Sequence, residues 1–391
     1  MHSADVLIEF GAVIIGLAIL ARVAGRFGIP AIPLYLLAGL AFGKGGIFPL
    51  VTTAEFIGFG AEIGLILLLL MLGLEYSASE LVATLRREAP TGVIDIALNF
   101  TPGVVAGLLL GWGLLAAVVL GGICYVSSSG VIAKLLQDAP RDRKERPLIL
   151  SIIVMEDLMM ALFLPVIAGL LIAGNDWSGL ISALLAVAAV IVILMVATRV
   201  DVGLSRLLFS RSDEALLLTI VGLTLAVAGI AERVQVSAAV GALVVGIVLA
   251  GPAAKSAHAL LSPLRDLFAA LFFGFFALTI DPSSIVPVLL PAIMIAVVTA
   301  MTKFVTGLLS ARRHGLERAE GVRMGTVLMA RGEFSIALAG LGVAAGLESE
   351  LGPLAAAYVL LLAVFGPVIA RVVEVVLGKR AAAPSNAATG R

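Results

Sequence analysis

The residues best suited to chemistry are charges in places that disfavour charge. Glu156 and Asp157 stand side by side in an otherwise apolar run from Pro147 to Gly174. Nine residues separate Pro147 from Glu156, which at about 1.5 Å per residue puts the pair ~14 Å deep in a ~30 Å hydrocarbon core. A carboxylate there costs about 2.5–3.5 kcal/mol on insertion scales, and adjacent carboxylates repel when both ionise. Intramembrane acids of this kind mark ion pathways, or else lie buried in a salt-bridge network. Residues three and four positions away are Ile152, Ile153, Met159, Met160 and Ala161, so compensation has to come from other helices.

The same depth count finds partners. Lys303 lies nine residues from Arg312, Asn99 nine from Pro90, Ser129 nine from Asp138, and Arg331 eight from Arg323. All fall near the depth of Glu156. Ser127-Ser128-Ser129-Gly130 and Arg331-Gly332-Glu333 interrupt two apolar segments, and an unwound helix frees carbonyl oxygens and half-helix ends for a cation. The serines add hydroxyls, or simply allow close helix packing. Arg331 and Glu333 fit helix-end or mutual neutralisation better than ion ligation. Adjacent residues on a helix point about 100° apart, so one acid of the pair is free to bind an ion while the other meets Lys303. Asp95, nearer a helix end, fits a solvated vestibule as well as the site. His2, His258 and His314 fall in loops or tails, so neither a catalytic triad nor a metal-ligand pair forms. Cys124 reads as a small core residue, and Gly43-Lys44-Gly45-Gly46 as a turn.

The composition dictates the elements that position these residues. The 391 residues are 61% hydrophobic and 13% charged, with a mean hydropathy of +1.16. Soluble domains carry about 25% charge. This is an integral all-α membrane protein without room for a large soluble catalytic domain. Thirteen spans are expected: 5–25, 29–43, 56–74, 91–110, 112–137, 147–173, 177–200, 213–232, 235–252, 264–282, 285–311, 318–346 and 353–377. The first reads as a retained helix rather than a signal peptide. With the N-terminus outside, 21 of the 26 basic residues fall in inner loops or the tail, Lys44 and Arg233 fall outside, and Lys134, Lys303 and Arg331 fall within spans. That asymmetry predicts a cytosolic C-terminus.

An internal repeat is also visible. Asn99-Phe100-Thr101-Pro102-Gly103 and Lys303-Phe304-Val305-Thr306-Gly307 share a polar-Phe-x-x-Gly pattern, each followed by an interrupted span. The distances from Asn99 to Gly130 and from Lys303 to Gly332 differ by two residues. Seven spans apart, the halves are inverted with respect to the membrane.

Together these motifs resemble the second family of monovalent cation:proton antiporters, in the branch of Kef-type and related bacterial potassium/proton antiporters, over about residues 5 to 377. Leu70-Met71-Leu72-Gly73-Leu74-Glu75 is similar to the segment ending that family's third helix. Tyr125-Val126-Ser127-Ser128-Ser129 and Gly332-Glu333-Phe334 are similar to its two discontinuous crossing helices, Glu156-Asp157 to its ion-binding pair, and Lys303 to its core lysine. The resemblance implies the sodium/proton antiporter fold, with core helices at about 91–173 and 285–377, dimerisation or scaffold helices at about 5–74 and 213–282, and a linker helix at 177–200. Residues 1–380 then form one antiporter unit, and 381–391 a disordered cytosolic tail. It further implies a homodimer in a bacterial inner membrane that works by alternating access. Asp157 binds cation and proton in competition, assisted by Glu156, Asn99 and Ser127, Ser128 and Ser129, with Lys303 paired to Glu156. Sodium-type members carry Asp-Asp at the pair and glutathione-gated members Gln-Asp, whereas this chain has Glu-Asp.

The expected cargo is potassium against protons, with sodium or rubidium as alternatives. A sodium/proton antiporter of the same fold and a cation channel also use such residues. Neither enzymatic activity, a cofactor nor a nucleic-acid partner is expected. Besides the bilayer and a second copy, a separate cytosolic nucleotide-binding regulatory subunit is a candidate partner, docking on Arg141 to Arg146 and the tail.

Overall fold

Helices dominate because a chain this apolar has to satisfy its backbone hydrogen bonds within each segment when it crosses lipid. The computed structural model describes residues 3–27, 31–43, 45–46, 78–138, 142–173, 212–233, 238–249, 254–278 and 280–382, together with scattered residues between 63 and 74. Among these the helices are α1 (Ser3–Phe27), α2 (Ile32–Phe42), α3 (Ala78–Leu109), α4 (Leu114–Tyr125), α5 (Ser129–Asp138), α6 (Arg146–Ala173), α7 (Asp213–Arg233), α8 (Ala238–Leu249), α9 (Ala254–Leu278), α10 (Ile285–Arg313), α11 (Arg318–Val327), α12 (Glu333–Ala344) and α13 (Leu351–Ala382). Every expected span except the third and seventh coincides with one helix or a broken pair. The seventh, 177–200, lies outside the described residues, as do most of the third and residues 383–391.

Four expectations need correction. The tenth span begins at Ala254 rather than 264 and ends at Leu278 rather than 282. The fourth span begins at Ala78 rather than 91, so Pro90 lies inside α3 together with Pro102. Neighbouring helices and side chains satisfy the carbonyls that proline leaves free. The last span continues to Ala382, past 377 and into the expected tail. The breaks are also shifted: Val126–Ser128 separates α4 from α5, and Leu328–Gly332 separates α11 from α12. Ser129 and Glu333 therefore open helices instead of lying in the unwound stretches.

The helices are inside out relative to soluble ones. On α10, Leu290, Met294, Val298 and Met301 are exposed, while Thr299, Lys303, Thr306 and Ser310 are buried. Lipid receives the apolar face, and the polar face turns to the protein interior. The main apolar core joins α4, α9, α12 and α13 through Leu120, Ile123, Phe273, Leu338, Leu354 and Tyr358.

The two repeats are related by a constant offset of 204 residues: Asn99 with Lys303, Gly103 with Gly307, Gly121 with Gly325, Ser127 with Arg331. This pairs Ser128, not Gly130, with Gly332. In each repeat the helix carrying the polar-Phe-x-x-Gly pattern crosses a crossing helix glycine to glycine. A Cβ on Gly103 would lie 2.8 Å from the Gly121 Cα, and one on Gly307 would lie 2.2 Å from the Gly325 nitrogen. Only glycine permits backbones this close.

Candidate functional site

The unwound stretches cross each other at the centre of the core. Ser128 donates its backbone N–H to the Ala330 carbonyl at 2.9 Å. A Cβ on Gly332 would lie 2.5 Å from Ser128 Oγ, so the crossing admits no side chain there. The C-terminal end of α4 and the end of α11 both leave carbonyls unused by their helices. Arg331 takes them up: its Nε donates to the Cys124 carbonyl at 3.2 Å and to Tyr358 Oη at 3.0 Å, and its Nη1 to the Leu328 carbonyl at 3.0 Å. The guanidinium thus neutralises two negative helix ends, the role expected for it. Glu333 opens α12, and its side chain is outside the described ones.

Glu156, on α6, faces this crossing. Its Oε2 accepts from the Ser127 backbone N–H at 2.5 Å, and its Oε1 lies 3.1 Å from Ser127 Oγ. The same oxygen accepts from Lys303 Nζ at 2.7 Å. Depth made Lys303 a partner for one acid of the pair, and it meets Glu156. Lys303 has a second carboxylate partner, Asp95 Oδ1 at 2.8 Å, and its Nζ lies 5.3 Å from the centroid of the Tyr125 ring. Asp95 is 1% exposed and Lys303 0%. Asp95 is a buried member of the cluster, not a vestibule residue, and the signal was its place one turn before Asn99.

Asn99 joins the cluster through neighbours. Its Nδ2 donates to Asp95 Oδ1 at 2.8 Å and to Thr306 Oγ1 at 3.0 Å, and its Oδ1 accepts from Thr302 at 2.8 Å. Thr302 and Thr306 were not singled out from sequence, because a threonine in an apolar run carries no charge signal. Tyr358 escaped notice for the same reason; its hydroxyl lies 3.0 Å from Thr299 Oγ1. Asp157 is buried beside Glu156 at 1% exposure. Ser127 meets Glu156, Ser128 meets the second crossing helix, and half-buried Ser129 starts α5. His314 lies in the turn after α10, as expected, within 3.3 Å of Glu88 Oε2, whereas His258, expected in a loop, lies within α9.

The charge arithmetic of the buried cluster decides what it can do. Asp95, Glu156 and Asp157 are acids, and Lys303 and Arg331 are bases, all at most 1% exposed. Fully ionised, the five carry a net charge of −1. One monovalent cation or one proton restores neutrality, and low-dielectric surroundings make that neutrality valuable.

The model for the transmembrane sodium/hydrogen exchanger family matches residues 12–375. The chain belongs to the sodium/hydrogen exchanger family. It is a cation/proton antiporter and a transporter, not an enzyme. It is 34% identical over 377 residues to the K(+)/H(+) antiporter subunit KhtU of Bacillus subtilis (strain 168), covering 93% of this chain and 92% of KhtU. It is 31% identical to the ammonium/H(+) antiporter subunit AmhT of Alkalihalophilus pseudofirmus, covering 86% of each. The putative cation/proton antiporter YbaL of Escherichia coli (strain K12) is 29% identical, over 97% of this chain and 70% of YbaL. The fold is similar to that of the sodium proton antiporter MjNhaP1 from Methanocaldococcus jannaschii, with a TM-score of 0.72 at 17% identity, covering 94% of this chain and all of that one. The exchanger thus has the inverted-repeat antiporter fold that its two crossing helices suggested.

Proposed function

We propose that this exchanger is a Kef-type potassium/proton antiporter in which Asp157 alternates between a protonated and a cation-bound state. The single observation that carries the reading is the net charge of −1 in the buried cluster, which one K+ or one H+ neutralises but not both. Glu156 holds Lys303 and the Ser127 backbone, and the resemblance of Glu156-Asp157 to the family's ion-binding pair assigns the exchange to Asp157. The hydroxyls of Ser127, Ser128 and Ser129 are oxygen ligands of the kind a dehydrated alkali cation needs. The name of KhtU favours potassium. Rocking of the core against a scaffold in a homodimer exposes the site alternately to the two faces, with the C-terminus in the cytosol of a bacterial inner membrane. A separate cytosolic regulatory subunit fits the word subunit in the names of KhtU and AmhT.

The test is reconstitution in liposomes carrying an internal pH dye and a proton gradient, with potassium, sodium, rubidium, lithium or ammonium added. Potassium is expected to move protons at the lowest concentration, and Asp157→Asn to abolish the response. Cation-driven proton movement that persists in Asp157→Asn overturns the mechanism. An equal response to every ion overturns potassium preference, and current without proton coupling marks a channel.

A further inference from the structure

The helix pair that holds the cluster carries a second line of polar groups running away from it. On α3, Glu88, Thr91, Asp95 and Asn99 recur at steps of three or four residues and share one face. On α10, Ser310, Thr306, Lys303 and Thr299 do the same, and all of these residues are buried. The faces meet along their length. Nε2 of His314 lies 3.3 Å from Glu88 Oε2, the Thr91 hydroxyl donates to the same oxygen at 3.4 Å, and Lys303 reaches Asp95. A buried polar column therefore runs from His314, one-third exposed, to the ion cluster. Two atoms along it, Ser310 Oγ and Asp95 Oδ2, are buried and make no hydrogen bond among the described residues. Buried polar atoms in proteins are satisfied by water where protein partners are lacking.

The mouth of the column is a histidine set between two oxygens. His314 Nδ1 lies 2.9 Å from the Ser310 carbonyl oxygen, and Nε2 lies 3.3 Å from the Glu88 carboxylate. Histidine is the side chain whose second proton exchanges near neutral pH. The described charges around it are Glu88 from α3 and, on its own helix end, the exposed Arg312 and Arg313. Glu317 and Glu320, at the start of α11, are engaged in their own capping box.

We infer that His314 and Glu88 form the cytosolic entrance of a proton path inside the core, separate from the route of the cation. The inference rests on the exchange reading and its orientation. The His314 Nε2–H bond breaks as an O–H bond forms on Glu88, and the ring regains its proton from solvent. Water held by the Thr91 and Ser310 hydroxyls passes the Glu88 proton to Asp95 Oδ2, beside Lys303, and Asp95 gives it up in turn to the ion cluster, where Asp157 takes it in exchange for the cation.

Two assays on the full chain in proteoliposomes test this. One measures potassium-driven proton movement across a range of pH. The other measures exchange of rubidium for potassium, which moves no protons. His314→Gln and Glu88→Gln are each expected to slow proton-coupled exchange about tenfold and to flatten its pH profile near neutrality. The potassium concentration for half-maximal rate and the rubidium exchange should stay at wild-type values. Equal slowing of both assays means a structural role and overturns the path, as does an unchanged pH profile. If Glu88→Gln does not fold, as judged by size-exclusion profile, His314→Gln at the protein surface decides the same step. Absence of coupled proton movement in the wild type instead overturns the exchange reading itself.

Discussion

The two repeats use one backbone plan and divide the chemistry between them. Each has a helix crossing a broken helix glycine to glycine, with Gly103 against Gly121 and Gly307 against Gly325. At the matched polar position the first repeat has Asn99 and the second Lys303. At the matched break the first has Ser127 and the second Arg331. After the first crossing helix, α6 brings Glu156 and Asp157 to the site, and after the second, α13 brings Tyr358. One repeat therefore supplies the acids and the other the bases that hold them. Among the described side chains, the division gathers three acids and two bases into a single buried cluster.

Making the repeats alike should undo this in graded steps. Lys303→Asn, which copies the first repeat into the second, leaves Asp95 and Glu156 buried without their ammonium. Breaking a buried pair this way costs about 3–5 kcal/mol, so the protein should lose its folded size-exclusion peak in detergent or melt far below wild type. Arg331→Ser copies Ser127 and strips the α4 and α11 ends of their counter-charge. At about 1.5–3 kcal/mol for a hydrogen bond to a charged group, a loss near 3 kcal/mol is expected in thermal melts, with transport abolished in whatever folds.

The glycines test the shared plan instead of the divided chemistry. Gly307→Ala and Gly103→Ala should each cost about 1–3 kcal/mol by overpacking. The former should cost more, because its Cβ meets a backbone nitrogen at 2.2 Å whereas the latter's nearest contact is 2.5 Å. Equal melting temperatures would contradict the geometry.

The smallest effect lies in the turn before α6, where Glu145 accepts from Arg323 Nε and pairs with Arg143. Burial pushes the Glu145 carboxyl up, but Arg323, its backbone hydrogen bond and Arg143 outweigh burial and hold it below the usual carboxylate range. The folded state thus binds this proton less readily than the unfolded chain. The stabilisation is complete above the ordinary glutamate value of about 4.3 and is lost as pH falls through the lower folded value. Since Arg143 and Arg323 are partly exposed, the amount is below about 1 kcal/mol. Glu145→Gln should lower the melting temperature at neutral pH by that small amount and remove the corresponding part of its acid sensitivity, so that the two proteins converge at low pH.

Much of the site was legible from charge alone. Glu156, Lys303 and Arg331 are conspicuous because lipid disfavours charge, and counting 1.5 Å per residue from span ends brought them to one depth. Asp95 was harder to place: its depth, counted from Pro90, looked shallow because α3 starts at Ala78 and continues through that proline. Thr302, Thr306 and Tyr358 carry no net charge, so composition is silent about them until a neighbouring helix sets them against Asn99 or Arg331. The breaks were found within three residues of their place, but a run of small polar residues does not say which one starts the next helix.

By itself the sequence determined the membrane class, the order of spans, the repeat and the charges that had to be compensated, because hydropathy and helix period are local properties. Tertiary structure alone decided the pairing: that Lys303 holds both Asp95 and Glu156, that Arg331 caps two helix ends, and that Glu88 meets His314. Apart from the contact of Arg331 with Leu328, they join residues from 147 to 226 positions apart, and such distances close only when packed helices bring their buried faces together.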